Sequence, residues 1–289
     1  MAKSNSSSPN NSNSKTLLVA LSVCLVCSLI VAGTTVLLKP IQTANQSAER
    51  KRIIVEIAEL ITPGISIDQA YQKLNIDMVE LSSGKTIDIN DAENFDIVKA
   101  TKDIDLSTPI EREADLAQIR RKPKYLPVYQ VNDASGGIKT LILPVYGYGL
   151  WSTLYGFLAL EGDLRTVQGL KFYQHAETPG LGGEIDNPQW LALWKGKIIL
   201  DENWQPYAKL IQGRTRTTAT EAQYKANGLA GTTSAIRGET ETDTAAARHK
   251  VDGLAGATLT TRGVENLLNF WLGKEGFGPY LNRLRKERS

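Results

Sequence analysis

The sequence predicts an α+β protein: a single N-terminal transmembrane helix, then a domain with a mainly antiparallel sheet and flanking helices. Three observations predict it. Leu17 to Leu38 carries no charged residue, and at the helical rise it spans about 33 Å, enough for a hydrocarbon core of about 30 Å. From Tyr125 the pattern turns to β-branched and aromatic runs separated by Gly, Asp and Asn turns. Helical periodicity returns after residue 260, so strands are mixed with flanking helices, which favours α+β over a doubly wound fold.

Taken in order, residues 1–16 read as a disordered tail, because Ser and Asn dominate without apolar periodicity. Residues 17–38 are too long for an ordinary signal-peptide core, and Val23 and Val26, which precede Cys24 and Cys27, are not the small residues of a lipoprotein cleavage site. The span therefore reads as a permanent anchor. Residues 39–124 form a helical and mixed membrane-proximal region. Gln42 to Leu60 reads as a helix with Ile53, Ile54, Ile57 and Leu60 on one face, ended by Thr62-Pro-Gly64. Ser66 is a candidate N-cap for a short helix to Leu74, and a strand at Met78 to Leu81 precedes a turn at Ser83-Gly84. Asp103 to Lys124 reads as charged and helical or irregular, with Arg120-Arg-Lys122 a solvated face.

Residues 125–289 form the main domain. Tyr125 to Val131, Ile138 to Val145, Leu154 to Glu161 and Thr166 to His175 predict a meander of strands. Trp190 to Trp194 predicts a short helix, with strands at Lys197 to Leu200 and Ala208 to Ile211. Residues 214–250 read as a polar insertion. Gly263 to Leu272 has helical spacing of apolar residues.

Composition excludes several function classes. A formal charge of +2 with scattered basic residues does not suit a nucleic-acid surface. Both cysteines lie in the apolar span, so disulfide, thiolate or cysteine-held cluster chemistry has no residues to use in the rest of the chain. Their Cys-x-x-Cys spacing reads as small apolar residues of a membrane helix. With only His175 and His249, no metal site or histidine-based triad is predicted.

The chemistry concentrates in Val251-Asp-Gly-Leu-Ala-Gly-Ala-Thr-Leu-Thr-Thr-Arg262, a glycine-rich turn ahead of a helix. Gly253 and Gly256 let backbone approach a bulky anion, and the first-turn N–H groups face it with partial positive charge. That describes an anion site bearing hydroxyls. The alternative is that Thr260 or Thr261 is simply an N-cap. Gly228-Leu-Ala-Gly-Thr-Thr233 echoes the motif and makes Thr233 a rival, but Asn227 stands where the motif has Asp252 and no strong helix start follows.

Asp252-Gly-Leu-Ala-Gly-Ala-Thr258 resembles the flavinylation motif of membrane respiratory complexes, in which a threonine carries FMN through a phosphoester. His175-Ala-Glu-Thr-Pro-Gly-Leu-Gly-Gly183, the block Tyr148 to Leu160 and the block Phe270 to Tyr280 extend the likeness over nearly the whole chain. Together they resemble the C-subunit family of sodium-translocating NADH:quinone oxidoreductases, whose members carry a covalent FMN-binding domain. Ala255 departs from the Ser or Thr usual there, removing a hydroxyl near the phosphate but leaving the acceptor.

The resemblance implies an electron-carrier subunit with covalent FMN on Thr258, and Asp252, Gly253, Gly256, Ala257, Thr260 and Thr261 around the phosphate. The electron would enter the complex from NADH and leave toward quinone by way of another covalent flavin. A second motif supplies the ring side: Glu177, Thr178, Pro179, Gly180, Leu181 and Gly182 form a turn whose backbone N–H groups can meet a ring edge, and Leu150 and Trp151 form apolar wall. A tight turn between strands, and a tryptophan in plain core, are the structural alternatives. His175 and Glu177 would share a strand face and are read as orienting the loop or tuning the flavin, not as an acid/base pair. The family further implies partner subunits, a flavin transferase acting after export, a cell inner membrane location and an extracytoplasmic domain. The positive-inside count, with Lys3 and Lys15 before the span and Lys39, Arg50, Lys51 and Arg52 after it, points the other way. Two alternatives stand beside this reading: the equivalent subunit of a ferredoxin:NAD⁺ oxidoreductase complex, and a flavin-binding sensor or assembly factor outside electron traffic. The N-terminal extension and the blocks Tyr148 to Leu160 and Phe270 to Tyr280 favour the quinone reductase.

Overall fold

The computed structural model describes residues 10–88, 92–211 and 248–288. The rival Thr233 and nearly all of the insertion read at 214–250 lie outside the described residues. The chain divides into two compact units, Met1–Arg50 and Lys51–Ser289. The first is the greater part of helix α1 (Asn10–Ile57). Among the described residues α1 is the one helix long and apolar enough to cross a membrane, with a mean hydropathy of 2.6 and an unburied apolar window. It starts at Asn10, inside the segment read as a disordered tail. Once a long helix is nucleated, each further residue adds a hydrogen bond at little cost, so polar Asn and Ser continue it.

In the second unit, the last turns of α1 are apolar on one face and dock against the sheet, burying Ile53, Ile54, Val55 and Ile57. Helix α2 (Ile67–Tyr71) begins at Ser66, which accepts from the Gln69 N–H while the Gln69 side chain accepts from the Ser66 N–H, a capping box as its sequence predicts. The sheet holds β1 (Asn75–Glu80), β2 (Thr86–Ile87), β5 (Tyr125–Asn132), β6 (Ile138–Tyr148), β7 (Thr153–Glu161) and β8 (Val167–Gln174) in the order β2-β1-β5-β6-β7-β8. Every pairing is antiparallel. The four strands of the meander alternate apolar and half-exposed residues over only part of their length. The central ones are buried on both faces, because helices cover each side.

One face packs on the end of α1 and on α2 around Tyr129, Ile142 and Phe157. The other packs on α4 (Pro188–Ala192), α5 (Thr258–Leu272) and α6 (Gly278–Glu287) around Leu143, Trp194 and Trp271. The Trp271 Nε1–H donates to the Tyr146 carbonyl at 2.6 Å and so pins α5 to β6.

Two readings change. Asp103 to Lys124 contains, after α3 (Ile97–Lys102), a two-stranded pair of β3 (Ser107–Pro109) with β4 (Arg121–Pro123). Arg121 Nε donates to Ser107 Oγ at 2.9 Å and Lys122 pairs with Glu275 at 2.7 Å, so two of the three basic residues are bonded, while Arg120 is exposed as expected. Lys197 to Leu200 forms only two isolated bridges, Thr166 with Ile198 and Leu200 with Pro206. Pro206 has no N–H to extend that ladder. Ala208 to Ile211 gives β9 (Lys209–Ile211), which runs parallel to β10 (Lys250–Asp252).

Helix α5 lies so close to the β6–β7 turn that a Cβ on Gly263 would sit 2.6 Å from the Tyr148 carbonyl oxygen and 2.9 Å from Gly149 Cα. Both obstacles are backbone. Gly263→Ala is therefore expected to destabilise the domain by about 1–3 kcal/mol despite its better helix propensity. Thermal unfolding of the two proteins checks this, and an unchanged or higher midpoint contradicts it.

Candidate functional site

The site begins where β10 leaves its partner strand. Gly253 N–H donates to the Ile211 carbonyl at 2.7 Å, and Ala257 N–H donates to that of Leu254 at 3.2 Å, so the glycine loop turns sharply. Gly256 takes φ +72°, a left-handed backbone that favours glycine. Helix α5 then starts at Thr258, three residues before the expected Thr261. Its N-cap is Ala257, which makes no side-chain cap hydrogen bond. The first-turn N–H groups thus have no side-chain acceptor from the cap position, which is the condition for binding an anion.

The threonines of this motif part company. Thr260 is fully buried, and its hydroxyl donates to Glu177 Oε2 at 2.6 Å. Thr261 is buried, and its Oγ1 accepts from Leu254 N–H at 3.0 Å. Neither is the N-cap that spacing alone allowed, because both sit within the first helical turn, Thr260 facing the core and Thr261 bordering the cleft. Thr258 is exposed. Of the three, it is the one whose side chain faces outward at the helix start.

Glu177 ties this helix to a second loop. It is 5% exposed, and its Oε1 accepts from the backbone N–H groups of Leu150, Trp151 and Ser152 at 3.1, 3.0 and 3.3 Å. Burial pushes its carboxyl pKa up. The Thr260 hydroxyl and the three N–H groups, in opposition, outweigh that and hold it below the ordinary carboxylate value. Both oxygens thus carry protein donors, so the side chain orients the loop at 150–152. Glycines make room: a Cβ on Gly182 would meet Thr260 Oγ1 at 2.5 Å, and one on Gly149 would meet Glu177 Oε1 at 2.7 Å.

His175 extends the clamp. Its Nδ1 accepts from Glu177 N–H at 3.2 Å and its Nε2 lies 2.6 Å from Asp186 Oδ2, while Ala176 N–H donates to Ser152 Oγ at 2.7 Å.

The two glycine motifs therefore meet although they are far apart in sequence. A Cβ on Gly256 would lie 3.2 Å from Leu181 Cδ2. Thr178, Pro179, Gly180 and Leu181 are exposed, and so is Leu259. Trp151 is 65% exposed and is not core; Leu150 is half-buried. Asp252 is half-buried, and its carbonyl accepts from Trp190 Nε1 at 2.8 Å.

Beside Thr258 opens a cleft of 900 Å³, lined by Trp190, Leu193, Leu210 and Ile211 as well as Asp252, Gly253, Gly256, Thr258, Thr261, Arg262 and Glu265. Its size falls within the range of small-molecule sites, about 300–1,000 Å³. An outward hydroxyl, a glycine loop and an uncapped helix start fit the phosphate of a mononucleotide, and Trp151, Leu181 and Leu259, exposed outside the cleft lining, offer apolar surface to a flat ring. Sequence reasoning missed Gly149, Gly263, Ser152 and Trp190. Gly263, a glycine inside a helical pattern, was the one available signal of close packing.

Residues 149–273 match the family model described as an FMN-binding domain. The Na(+)-translocating NADH-quinone reductase C-subunit of Pseudomonas aeruginosa is 47% identical over 279 residues, covering 95% of this chain and 97% of the relative. That of Yersinia pestis is 38% identical over 281 residues, covering 96% of this chain and 95% of the relative. The crystal structure of Shewanella oneidensis NqrC is 29% identical, covers 84% of this chain and 99% of that one, and superposes with a TM-score of 0.67.

Glu177→Gln keeps the shape but puts an amide NH₂ against N–H groups or the Thr260 hydroxyl, at an expected cost of about 1–3 kcal/mol. Because the folded pKa is depressed, the carboxylate's contribution is complete above the ordinary value of 4.5. It is lost as pH falls through the lower folded value. Melting curves across pH are therefore expected to show a constant gap between wild type and variant near neutrality that narrows below that value. A gap that persists unchanged in strong acid would show that the charge is not its source.

Proposed function

The chain belongs to the C-subunit family of Na(+)-translocating NADH-quinone reductases, and from that premise we propose how it works: as the FMN-bearing, membrane-anchored subunit of such an oxidoreductase, with the flavin phosphate esterified to Thr258. FMN is the cofactor, and other subunits of the complex are the partners. The observation that carries the attachment is the placement of Thr258, exposed at the first position of an uncapped helix whose neighbouring hydroxyls, Thr260 and Thr261, are buried against Glu177 and the Leu254 N–H.

When bound, FMN supplies one-electron redox chemistry that no side chain here provides. The protein's part is to hold it. Gly253 and Gly256 let backbone approach the phosphate, and the start of α5 favours its charge by about 0.3–1 kcal/mol. Leu150, Trp151, Thr178 and Leu181 would border the ring, with Pro179 and Gly180 setting the turn and Gly182 allowing it to close on Thr260. Asp252 and Ala257 shape the loop. Glu177 and His175 act one step removed, by fixing the two loops against α5. An ester bond suits an exposed acceptor, since it prevents loss of the cofactor by dissociation. A flavin transferase would make the bond, and Thr258 is in this reading a modification site and not a catalytic nucleophile.

Two placements belong to the same reading. Residues 17–38 cross the cell inner membrane, and the domain that follows lies on its outer, periplasmic side. The downstream charges Lys39, Arg50, Lys51 and Arg52 do not oppose this, because a long domain that follows one span translocates largely regardless of charge.

Trypsin is expected to release the flavin on the peptide between Lys250 and Arg262, with fragmentation placing the added mass on Thr258; Thr258→Ala, co-produced with the transferase, is expected to carry no covalent flavin. Mass on Thr260 or Thr261 refutes the assignment. For topology, a C-terminal reporter active only in the periplasm is expected to be active and a cytoplasm-only reporter silent. The reverse pattern would place the domain inside.

A further inference from the structure

We propose that Arg262 is the counter-charge of the flavin phosphodiester, an inference that rests on attachment at Thr258. Arg262 lies four residues after Thr258 in α5 (Thr258–Leu272), so the two share a helix face about 6 Å apart along the axis. Long helical side chains lean back toward the N-terminus and over the preceding turn. The guanidinium of Arg262 therefore extends toward the turn that carries Thr258. Both residues line the same 900 Å³ cleft.

The charge balance of that cleft gives the arginine its role. Among the described residues lining it, the ionisable side chains are Asp252, Glu265 and Arg262. Glu265 is engaged with the backbone, its Oε2 accepting from Leu210 N–H at 2.8 Å. A phosphodiester adds a further negative charge beside the two carboxylates. Arg262 is the single cation in this lining that can offset it. Among the described residues Arg262 makes no ion pair or hydrogen bond, and it is exposed, so its five donors stand ready for a planar, two-point contact with phosphate oxygens. A lysine would supply the charge without the fork.

Lys197, outside this lining, interacts with the Asp252 carboxylate, and the remaining cationic help for the diester is weak. The helix start contributes only a partial charge. An arginine one turn into the helix thus does for the diester what backbone N–H groups alone do incompletely. It also restrains the linker that carries the ring, and so acts as a positioning residue.

The test uses the full-length protein flavinylated by the transferase, in wild-type form and as Arg262→Gln and Arg262→Lys. Mass spectrometry first confirms the mass on Thr258. The readouts are the ³¹P resonance of the diester and the anisotropy decay of the flavin, neither of which requires turnover. In Arg262→Gln the ³¹P resonance is expected to move toward that of a free diester in water. The fraction of flavin in the restrained population is expected to fall by about two- to five-fold, the range of an exposed ion pair. Arg262→Lys is expected to lie between the two, and raising salt to about 1 M should move wild type toward the Gln variant. A fully flavinylated Arg262→Gln with unchanged ³¹P position and anisotropy overturns the proposal while leaving the attachment reading intact. Flavin found on another residue in wild type overturns both.

Discussion

The Glu177 carboxylate is the interaction on which the site depends. A buried carboxylate is costly unless its oxygens are filled with donors. Here the donors come from two separate parts of the chain: three successive N–H groups at 150–152 and the hydroxyl of Thr260. Satisfying the charge therefore obliges the β6–β7 turn and the start of α5 to lie side by side. Several glycines follow from that requirement. Gly149 and Gly182 leave space for the carboxylate, and Gly263 lets the helix backbone come within contact of the turn at Tyr148.

The same clamp decides which threonine faces outward. Residues 258, 260 and 261 occupy one helical turn and project at about 100° steps. With Thr260 fixed on Glu177 and Thr261 on the Leu254 N–H, the helix rotation is set. Thr258 is then left exposed at the helix start. On the proposed attachment, selection of one hydroxyl among three neighbours is a consequence of helix phase, held by the Thr260 bond to Glu177 on the opposite face and the Thr261 bond to the glycine loop.

Much of this architecture was legible in the sequence because local signals and tertiary structure agree. The capping box at Ser66 and Gln69, the four strands of the meander and the apolar periodicity after Gly263 each reflect a period or cap that the chain satisfies by itself. The pairing of β3 with β4 was not legible, since three-residue strands ending in proline carry almost no periodic signal. Nor was the true start of α5, because Thr-Leu-Thr-Thr has indifferent helix propensity and is made helical by burial against Glu177. In the site, the residues of both glycine motifs could be named from spacing and resemblance. Their division of labour could not: the hydrogen bonds of Glu177 and Thr260 join segments far apart in sequence, which no local spacing encodes.

That arrangement bears on how the proposed tether at Thr258 can be both modifiable and well placed. An acceptor that must meet a modifying enzyme has to be exposed, and exposed residues at loop tips are ordinarily the least ordered. Thr258 is exposed yet belongs to a helix whose far face is locked by buried residues, including Val264, Leu267 and Trp271. Order is imposed from behind, through the helix, so the front can remain open. The same logic separates the residues by the defect their loss should produce. Changes at Glu177 or Gly263 act on the scaffold and are read in stability, whereas a change at Arg262 acts on the outer face and leaves the clamp untouched. With attachment at Thr258 as proposed, the linked flavin would distinguish a displaced scaffold from a loosened tether.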